Sequence, residues 1–233
     1  MKVLIVHAHP EATSFNSALT RHAVEVLSAA GHEVQVSDLY AMGWNPVSGR
    51  ENFRTVVNGD RLDLQDEEIF ASRNDGFAED IRQEWDKLEW CDVLIFQFPL
   101  WWFSLPAILK GWVDRVFACG HAYGGGKWYS RGVFRGKRAM LSLTTGGHEP
   151  MFSENGLNGS IEQILYPIHH GILYFVGFDV LPPFVAWGPS RVGDEAREAY
   201  FREYGERLTS LDQTEPIAYL PLEAYDERFV RKS

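Results

Sequence analysis

The sequence is poor in cysteine and in positive charge. Of its 233 residues only Cys91 and Cys119 are cysteines, which excludes a disulfide framework and a cysteine-rich zinc site. The 22 basic residues are outnumbered by 32 acidic ones, so the formal net charge is −10. Because nucleic acid and anionic lipid surfaces bind an excess of Lys and Arg, we expect neither as a partner.

Long apolar runs are also missing. Residues 3–6 are too few for the core of a signal peptide and predict a short buried strand. Residues 93–113 are hydrophobic but are interrupted by Gln97, by prolines and by Lys110, whereas a spanning helix needs about 20 predominantly apolar residues. We therefore expect a soluble, cytoplasmic protein with no stable membrane insertion.

What the chain does have is an alternation of short apolar runs and helical patterns. Strands are predicted at residues 3–6, 33–39, 93–98, 138–144 and 180–187, and helices at residues 14–30, 81–90, 106–117, 161–175 and 194–211. A polar excursion with some helix fills residues 48–80. Strands separated by helices favour an α/β fold with a doubly wound parallel sheet. We predict one domain over residues 1–211, and a C-terminal extension over residues 212–233 that packs on the domain or on a partner.

Ligands of such sheets bind where the strands end, so the loops at those points matter most. The first loop lacks the GxGxxG pattern of a nicotinamide-binding Rossmann site. It offers Thr13, Ser14 and Asn16 at a helix start, where free N–H groups favour a phosphate. Plain helix capping is the alternative. His7 and His9 have no carboxylate or cysteine partner at metal-ligand spacing, so we expect no metal there.

Three further loops carry candidate binding residues. Residues 98–107 follow the central strand and include three consecutive aromatics, which suit either a flat ligand or a subunit contact. Residues 144–147 are Thr-Thr-Gly-Gly, which allows a ligand to approach the backbone or makes an ordinary turn. Residues 123–129 hold three glycines between aromatic residues, and this pattern fits a lid over a planar substrate or a mobile surface loop.

Together these loops resemble the flavodoxin-like NAD(P)H:quinone oxidoreductases, the DT-diaphorase family and its bacterial relatives. The resemblance runs from Lys2 to about Phe184 and more weakly to Leu211. It is carried by residues 8–9 with 13–16, 37–40, 96–100 with 102–103, 106–112, 144–147 and 171–173.

The resemblance implies a flavodoxin-like fold, tightly bound FAD rather than FMN, and NAD(P)H as co-substrate. It also implies a homodimer with active sites at the interface, and ping-pong hydride transfer through flavin N5 to a quinone or another planar acceptor. The residues it places on the FAD are His9, Thr13, Ser14, Phe15, Asn16, Pro99, Leu100, Trp101, Trp102, Phe103, Thr144, Thr145, Gly146, Gly147 and Arg197. It assigns Tyr123, Trp128 and Phe178 to an aromatic slot for nicotinamide and quinone.

The sequence departs from the family at the catalytic positions. Beside Gly146 and Gly147, a Tyr/His relay in the family stabilises and protonates the reduced flavin, and its two positions here hold Phe152 and Asn158. Phe152 has no hydroxyl, and the Asn158 amide can donate a hydrogen bond but cannot take up a proton near neutral pH. His148 or water would have to supply the proton.

Other departures concern the slot and a metal site. Gly125 replaces a tyrosine of the slot, which predicts a roomier site, and Trp101 replaces a glutamine beside the flavin. Of a metal site known in one family member only His170 remains, with Tyr174 at a second ligand position, so we expect no metal.

Three alternative functions stay open. They are reduction of azo or nitro compounds at the same flavin site, an ancillary regulatory subunit of a glutathione-gated potassium-efflux system, and a flavodoxin-type electron carrier.

Overall fold

A parallel sheet of six strands runs through the centre of the protein. A computed structural model of the chain describes residues 1–232. The strands are β1 (Lys2–His7), β2 (Glu33–Asp38), β3 (Val93–Pro99), β4 (Arg138–Thr144), β5 (Asp179–Val180) and β6 (Phe184–Ala186). They are ordered β2-β1-β3-β4-β5, and β6 also pairs with β4. Every pairing is parallel, which confirms the predicted α/β sheet.

Helices cover both faces of this sheet. They are α1 (Phe15–Ala29), α2 (Leu64–Arg73), α3 (Glu79–Trp90), α4 (Ala107–Val116), α5 (Ile161–Ile168) and α6 (Asp194–Thr209). Successive side chains of β1 point to opposite faces. Val3 and Ile5 pack in a core with residues of α1 and α6, whereas Leu4 and Val6 pack in the larger core on the other face, which contains residues of α3, α4 and α5. Burial on both faces explains why the strand is a continuous apolar run.

Two predicted elements differ from the observed ones. The strand predicted over residues 180–187 is divided into β5 and β6, because Pro182 and Pro183 have no N–H group to donate to the sheet. The helix predicted over residues 161–175 is α-helical only to Ile168 and then continues as a π-helix, His169–Tyr174. Pro167 lies at this change and cannot donate an α-helical hydrogen bond.

The C-terminal segment after α6 lies along the domain. The Ile217 N–H donates to the Val180 carbonyl at 2.7 Å, and the Leu222 N–H donates to Ser130 Oγ at 3.0 Å. Further along, the exposed Arg131–Glu223 ion pair joins it to the loop after α4. Among residues 1–232, no helix is long and apolar enough to cross a bilayer.

Candidate active site

The strand ends and the start of α1 enclose a cavity of about 730 Å³. It lies at the carboxyl edge of the sheet, where parallel α/β folds bind ligands. Twelve of the predicted cofactor residues line it: His9, Thr13, Ser14, Phe15, Asn16, Pro99, Leu100, Trp101, Thr144, Thr145, Gly146 and Arg197. Pro189, Ser190 and Phe201, which were not predicted from the sequence, also line it beside Arg197. No motif marks these three, since Pro189 and Ser190 come from the loop before α6 and Phe201 comes from α6 itself, where its ring packs 5.1 Å from that of Phe15.

A series of buried hydrogen bonds joins β3, α1 and β4 beside this cavity. Gln97 Nε2 donates to Asn16 Oδ1 at 2.9 Å, and Asn16 Nδ2 donates to Thr144 Oγ1 at 2.8 Å. The Leu100 N–H donates to the Thr144 carbonyl at 2.8 Å. Because the side chains of Gln97, Asn16 and Thr144 are all buried, loss of either hydrogen bond between them would leave an unpaired polar group. Asn16 is therefore committed to holding the cavity together.

The segment just before α1 already binds a carboxylate. Ser14 caps the helix, with its Oγ accepting from the Ser17 N–H at 3.1 Å, as the capping alternative predicted. The Thr13 N–H and hydroxyl donate to the Glu11 carboxylate at 2.9 and 2.8 Å, and these bonds lower the pKa of Glu11. Thr13 is exposed, so a phosphate oxygen can take the place of this carboxylate.

His9 adds a donor at the same end of the cavity. Its Nδ1 accepts from the Glu11 N–H at 3.0 Å, which assigns the hydrogen of the neutral ring to Nε2. The Nε2–H is then free to donate to a ligand. The ring also lies 6.1 Å from that of Trp101 across the cavity mouth.

The two glycines after β4 have different surroundings. A Cβ on Gly146 would meet no protein atom within 4 Å, whereas one on Gly147 would lie 2.9 Å from Met151 Sδ and 3.1 Å from Phe152. The loop is held by Thr145, whose N–H donates to the Ala186 carbonyl at 3.1 Å. Gly146 thus leaves open space for a ligand, and Gly147 permits the close packing behind it.

A smaller cavity of about 230 Å³ adjoins the glycines. Its lining consists of Leu100, Trp102, Phe103, Thr145, Gly146, Gly147, Phe152 and Asn158. Phe152 and Asn158, the residues at the two predicted relay positions, therefore lie at the same cavity. The Phe152 ring is buried and lies 5.4 Å from the ring of Trp187, and neither Phe152 nor Asn158 brings an acid or a base.

The aromatic turn after β3 is strained and exposed. Trp102 and Phe103 have φ of 51° and 58°, in the left-handed region that side chains disfavour. The turn is closed by reciprocal bonds between the backbones of Trp101 and Ser104 at 3.2 and 3.0 Å. Trp102 is 95% exposed and Phe103 is 52% exposed, so one chain alone covers neither ring.

Two of the three predicted slot residues, Tyr123 and Trp128, line a separate apolar cavity of about 430 Å³. Its walls are Tyr123, Trp128, Tyr129, His170, Tyr174, Phe175, Leu220, Leu222, Tyr225 and Phe229. Tyr123 and Trp128 are brought together here, but not with Trp102 and Phe103.

The prediction that Phe178 lines the slot is wrong. Its side chain is fully buried and stacks on Phe134 with a centroid distance of 4.8 Å. Phe175, three residues earlier, lines the cavity instead, and its ring lies 5.5 Å from that of Tyr123. Residue 178 follows the π-helix and turns into the core, a change of direction that helical spacing does not reveal.

Arg197 stabilises a loop beside the large cavity. Its guanidinium donates to the Val192 carbonyl at 2.6 Å and to the Pro189 carbonyl at 3.2 Å, and it pairs with Asp194. Its contribution to the cavity is therefore partly to hold the wall formed by residues 189–194.

No metal cluster accompanies these cavities. Among residues 1–232, no three His, Cys, Asp or Glu side chains lie close enough together to hold a metal ion. His170 is instead surrounded by the rings of Tyr129, Tyr166, Tyr174 and Tyr219, at centroid distances of 4.8 to 5.5 Å.

Comparison with known proteins identifies the family. A family model described as a flavodoxin-like fold matches residues 1–208. The human ribosyldihydronicotinamide dehydrogenase [quinone] is 42% identical over 217 residues, covering 93% of this chain and 94% of that protein. The NAD(P)H dehydrogenase [quinone] 1 of Cavia porcellus is 40% identical over 229 residues, covering 98% and 83%. The chain belongs to the flavodoxin-like NAD(P)H:quinone oxidoreductase family.

Solved structures of this family agree with the fold. A Klebsiella pneumoniae protein proposed to be a quinone reductase superposes with a TM-score of 0.97 and 42% identity, covering 100% of this chain and 94% of that one. In sequence, a ribosyldihydronicotinamide dehydrogenase-like protein of Penicillium crustosum is likewise 46% identical over 227 residues, covering 94% of this chain and 84% of that protein. As a family member the chain is an oxidoreductase, and the family implies a flavin cofactor and NAD(P)H as substrate.

The residues present fit a flavin nucleotide. Exposed donors at Thr13 and His9 suit its phosphates, and the open space at Gly146 admits a flat ring against the backbone. The charged residues of the lining, Asp194, Arg197 and Glu198, all lie on α6, and Pro99, Leu100 and Trp101 supply apolar faces for a planar ligand.

Proposed function

We propose that this chain catalyses the two-electron reduction of quinones by NAD(P)H, in ping-pong order, with FAD as its flavin. The observation that supports this most is that one cavity contains both the hydrogen-bond donors of Thr13, which suit a phosphate, and the unobstructed backbone at Gly146. When bound, the flavin supplies the two-electron exchange between the two substrates.

The shape of the cavity favours FAD over FMN. The same cavity also reaches α6 and the loop before it, where Pro189, Arg197 and Phe201 form a further wall. FMN ends at its phosphate, so that part of the cavity would stay empty, whereas the adenylate of FAD would fill it. We therefore assign the segment beside Phe201 to the adenine end.

The protein groups around the ring position act as donors and spacers. Backbone N–H groups of the loop at Gly146 and Gly147 can donate to carbonyl oxygens of a flat ligand and stabilise charge that develops there. Phe152 keeps water from the buried side of the small cavity. Because Phe152 and Asn158 cannot exchange protons, we assign that role to water or to the exposed His148.

A homodimer would complete the acceptor slot. Trp102 and Phe103 are exposed on one surface, and Tyr123, Trp128 and Phe175 line a separate apolar cavity. Exposed aromatics of this kind mark an interface, and a two-fold pair of chains can set each surface against the other. The C-terminal extension takes part, since Tyr225 and Phe229 line the same cavity.

Cofactor choice is tested by titrating the flavin-free protein with FAD and with FMN while following tryptophan fluorescence. We expect FAD to bind at least tenfold more tightly, because only FAD reaches the wall at Phe201. The Phe201→Ala variant should weaken FAD and leave FMN unchanged. Equal affinities for the two flavins would overturn the assignment.

Activity is tested by following NADH and NADPH oxidation by the FAD-loaded protein with menadione as acceptor. We expect parallel lines in double-reciprocal plots, the signature of a ping-pong order. Flavin binding without turnover with any quinone would refute the proposed reaction and favour a regulatory role.

A further inference from the structure

We propose that Gln65 and Glu68 on α2 are positioning residues that hold Tyr123 in the acceptor slot and so help to set which planar acceptors fit. The effect on acceptor choice rests on the proposed function, whereas the positioning of Tyr123 does not depend on it. Neither residue lines a cavity described above.

One face of α2 packs on the turn that carries Tyr123. Gln65, Glu68, Ile69 and Ser72 are spaced three, four and seven residues apart and lie on the same side of the helix. Glu68 Oε2 accepts from the Cys119 N–H at 2.7 Å, and Gln65 Nε2 donates to the Tyr123 hydroxyl at 3.4 Å. The helix thus contacts the turn at Cys119, where the turn begins, and at the hydroxyl group of Tyr123.

The turn has little room to move relative to α2. The Gly120 N–H donates to the Tyr123 carbonyl at 2.7 Å, and Gly120 has φ of 86°. A Cβ on Gly120 would lie 2.6 Å from Ser72 Oγ, and one on Gly124 would lie 3.2 Å from Cys119 Sγ. A displacement at Cys119 is therefore transmitted to Tyr123 rather than absorbed within the turn.

Glu68 is an unexpected residue for a purely structural contact. Its side chain is buried, and burial raises its pKa to about 7. A buried carboxyl is unfavourable unless it is hydrogen-bonded, and its bond to the Cys119 N–H is what compensates here. The titratable groups beside it on the turn are the Cys119 thiol and the Tyr123 hydroxyl, whose pKa values are both raised by burial.

The neighbouring Glu67 provides a matched control. It is equally buried on the same helix, but it accepts from the Val57 and Asn58 N–H groups at 2.8 and 3.3 Å and makes no hydrogen bond to the turn. Glu67→Ala should destabilise the same part of the chain without moving Tyr123.

The first readout is independent of activity. The protein is labelled with 3-fluorotyrosine, the Tyr123 resonance is assigned with Tyr123→Phe, and ¹⁹F spectra are recorded for each variant. We expect Glu68→Ala and Gln65→Leu to shift or broaden the Tyr123 resonance, Glu68→Gln to restore it, and Glu67→Ala to leave it in place. An unmoved resonance in Glu68→Ala would overturn the positioning role.

The second readout is acceptor preference. For menadione we expect Glu68→Ala to raise KM about fivefold, the effect of one lost hydrogen bond, with kcat changed less than about twofold. Glu67→Ala should leave KM unchanged, and an equal rise in both variants would contradict the specificity role. A shifted resonance in a protein that reduces no quinone would refute the proposed function and leave the positioning of Tyr123 standing.

Discussion

The strained turn at Trp102 makes a prediction that runs against the usual effect of removing a tryptophan. Trp102 has φ of 51° and is 95% exposed, so its side chain buries almost no apolar surface in one chain. The left-handed conformation costs an ordinary residue about 1–2 kcal/mol, whereas glycine adopts it freely. Glycine loses about 0.5–1 kcal/mol more backbone entropy on folding. We therefore expect Trp102→Gly to increase the free energy of unfolding by about 0.5–1 kcal/mol.

The measurement is urea unfolding of the flavin-free protein at two protein concentrations, which separates chain stability from subunit association. Trp101→Gly is the matched control, because Trp101 lies beside Trp102 but outside the left-handed region and is only 41% exposed. We expect this control to lose about 1 kcal/mol or more from reduced burial. The same loss of stability in both variants would refute the reasoning that strain is stored at Trp102.

This strain has a functional counterpart. The left-handed turn directs two large rings toward solvent at the edge of the small cavity, where a planar acceptor would lie against them. Trp102→Gly should therefore be more stable but raise KM for quinones. Strain of this kind is found at binding sites, where it pre-organises the residues.

Further predictions concern the glycines, Glu68 and the relay position. Gly146→Ala should leave the free energy of unfolding within about 0.5 kcal/mol of the parent and weaken FAD binding. Gly147→Ala should lower the melting temperature, because the added Cβ would lie 2.9 Å from Met151 Sδ. The reverse pattern in calorimetry and flavin titration would contradict the assigned surroundings. Burial raises the pKa of Glu68 from 4.5 to about 7, so between these pH values the folded protein keeps a proton that the unfolded chain has released. The free energy of unfolding therefore falls by up to about 3 kcal/mol as the pH rises from 4.5 to about 7. Glu68→Gln should flatten that part of the stability–pH curve measured by urea unfolding, and an unchanged curve would count against the raised pKa. Phe152→Tyr should raise the rate at which NAD(P)H reduces the flavin in stopped-flow experiments, because it adds a hydroxyl at the small cavity, and an unchanged rate would argue against a relay role for this position.

The fold is readable from the sequence because strands covered on both faces must be apolar throughout. Residues 3–6 and 93–96 are such runs, and the structure places both in strands at the centre of the sheet. Prediction failed where a local irregularity changes direction: Pro182 and Pro183 divide a strand, and the π-helix turns Phe178 into the core while Phe175 reaches the cavity.

The candidate site was predictable in part for a different reason. Its backbone-dominated loops, such as residues 144–147, leave a pattern of Thr and Gly in the sequence. The walls formed by long-range packing leave none. Phe201 on α6 and the Gln65–Glu68 face of α2 are brought to their sites by the fold, and no spacing along the chain connects them with His9 or Tyr123.

The most direct test of the proposed function is an anaerobic half-reaction experiment on the FAD-loaded protein. One equivalent of NADPH or NADH should bleach the visible flavin absorbance, and one equivalent of menadione added afterwards should restore it, with no ternary complex required. Flavin that stays oxidised in excess NADPH and NADH, or that is bleached but not reoxidised by any quinone, would contradict the account.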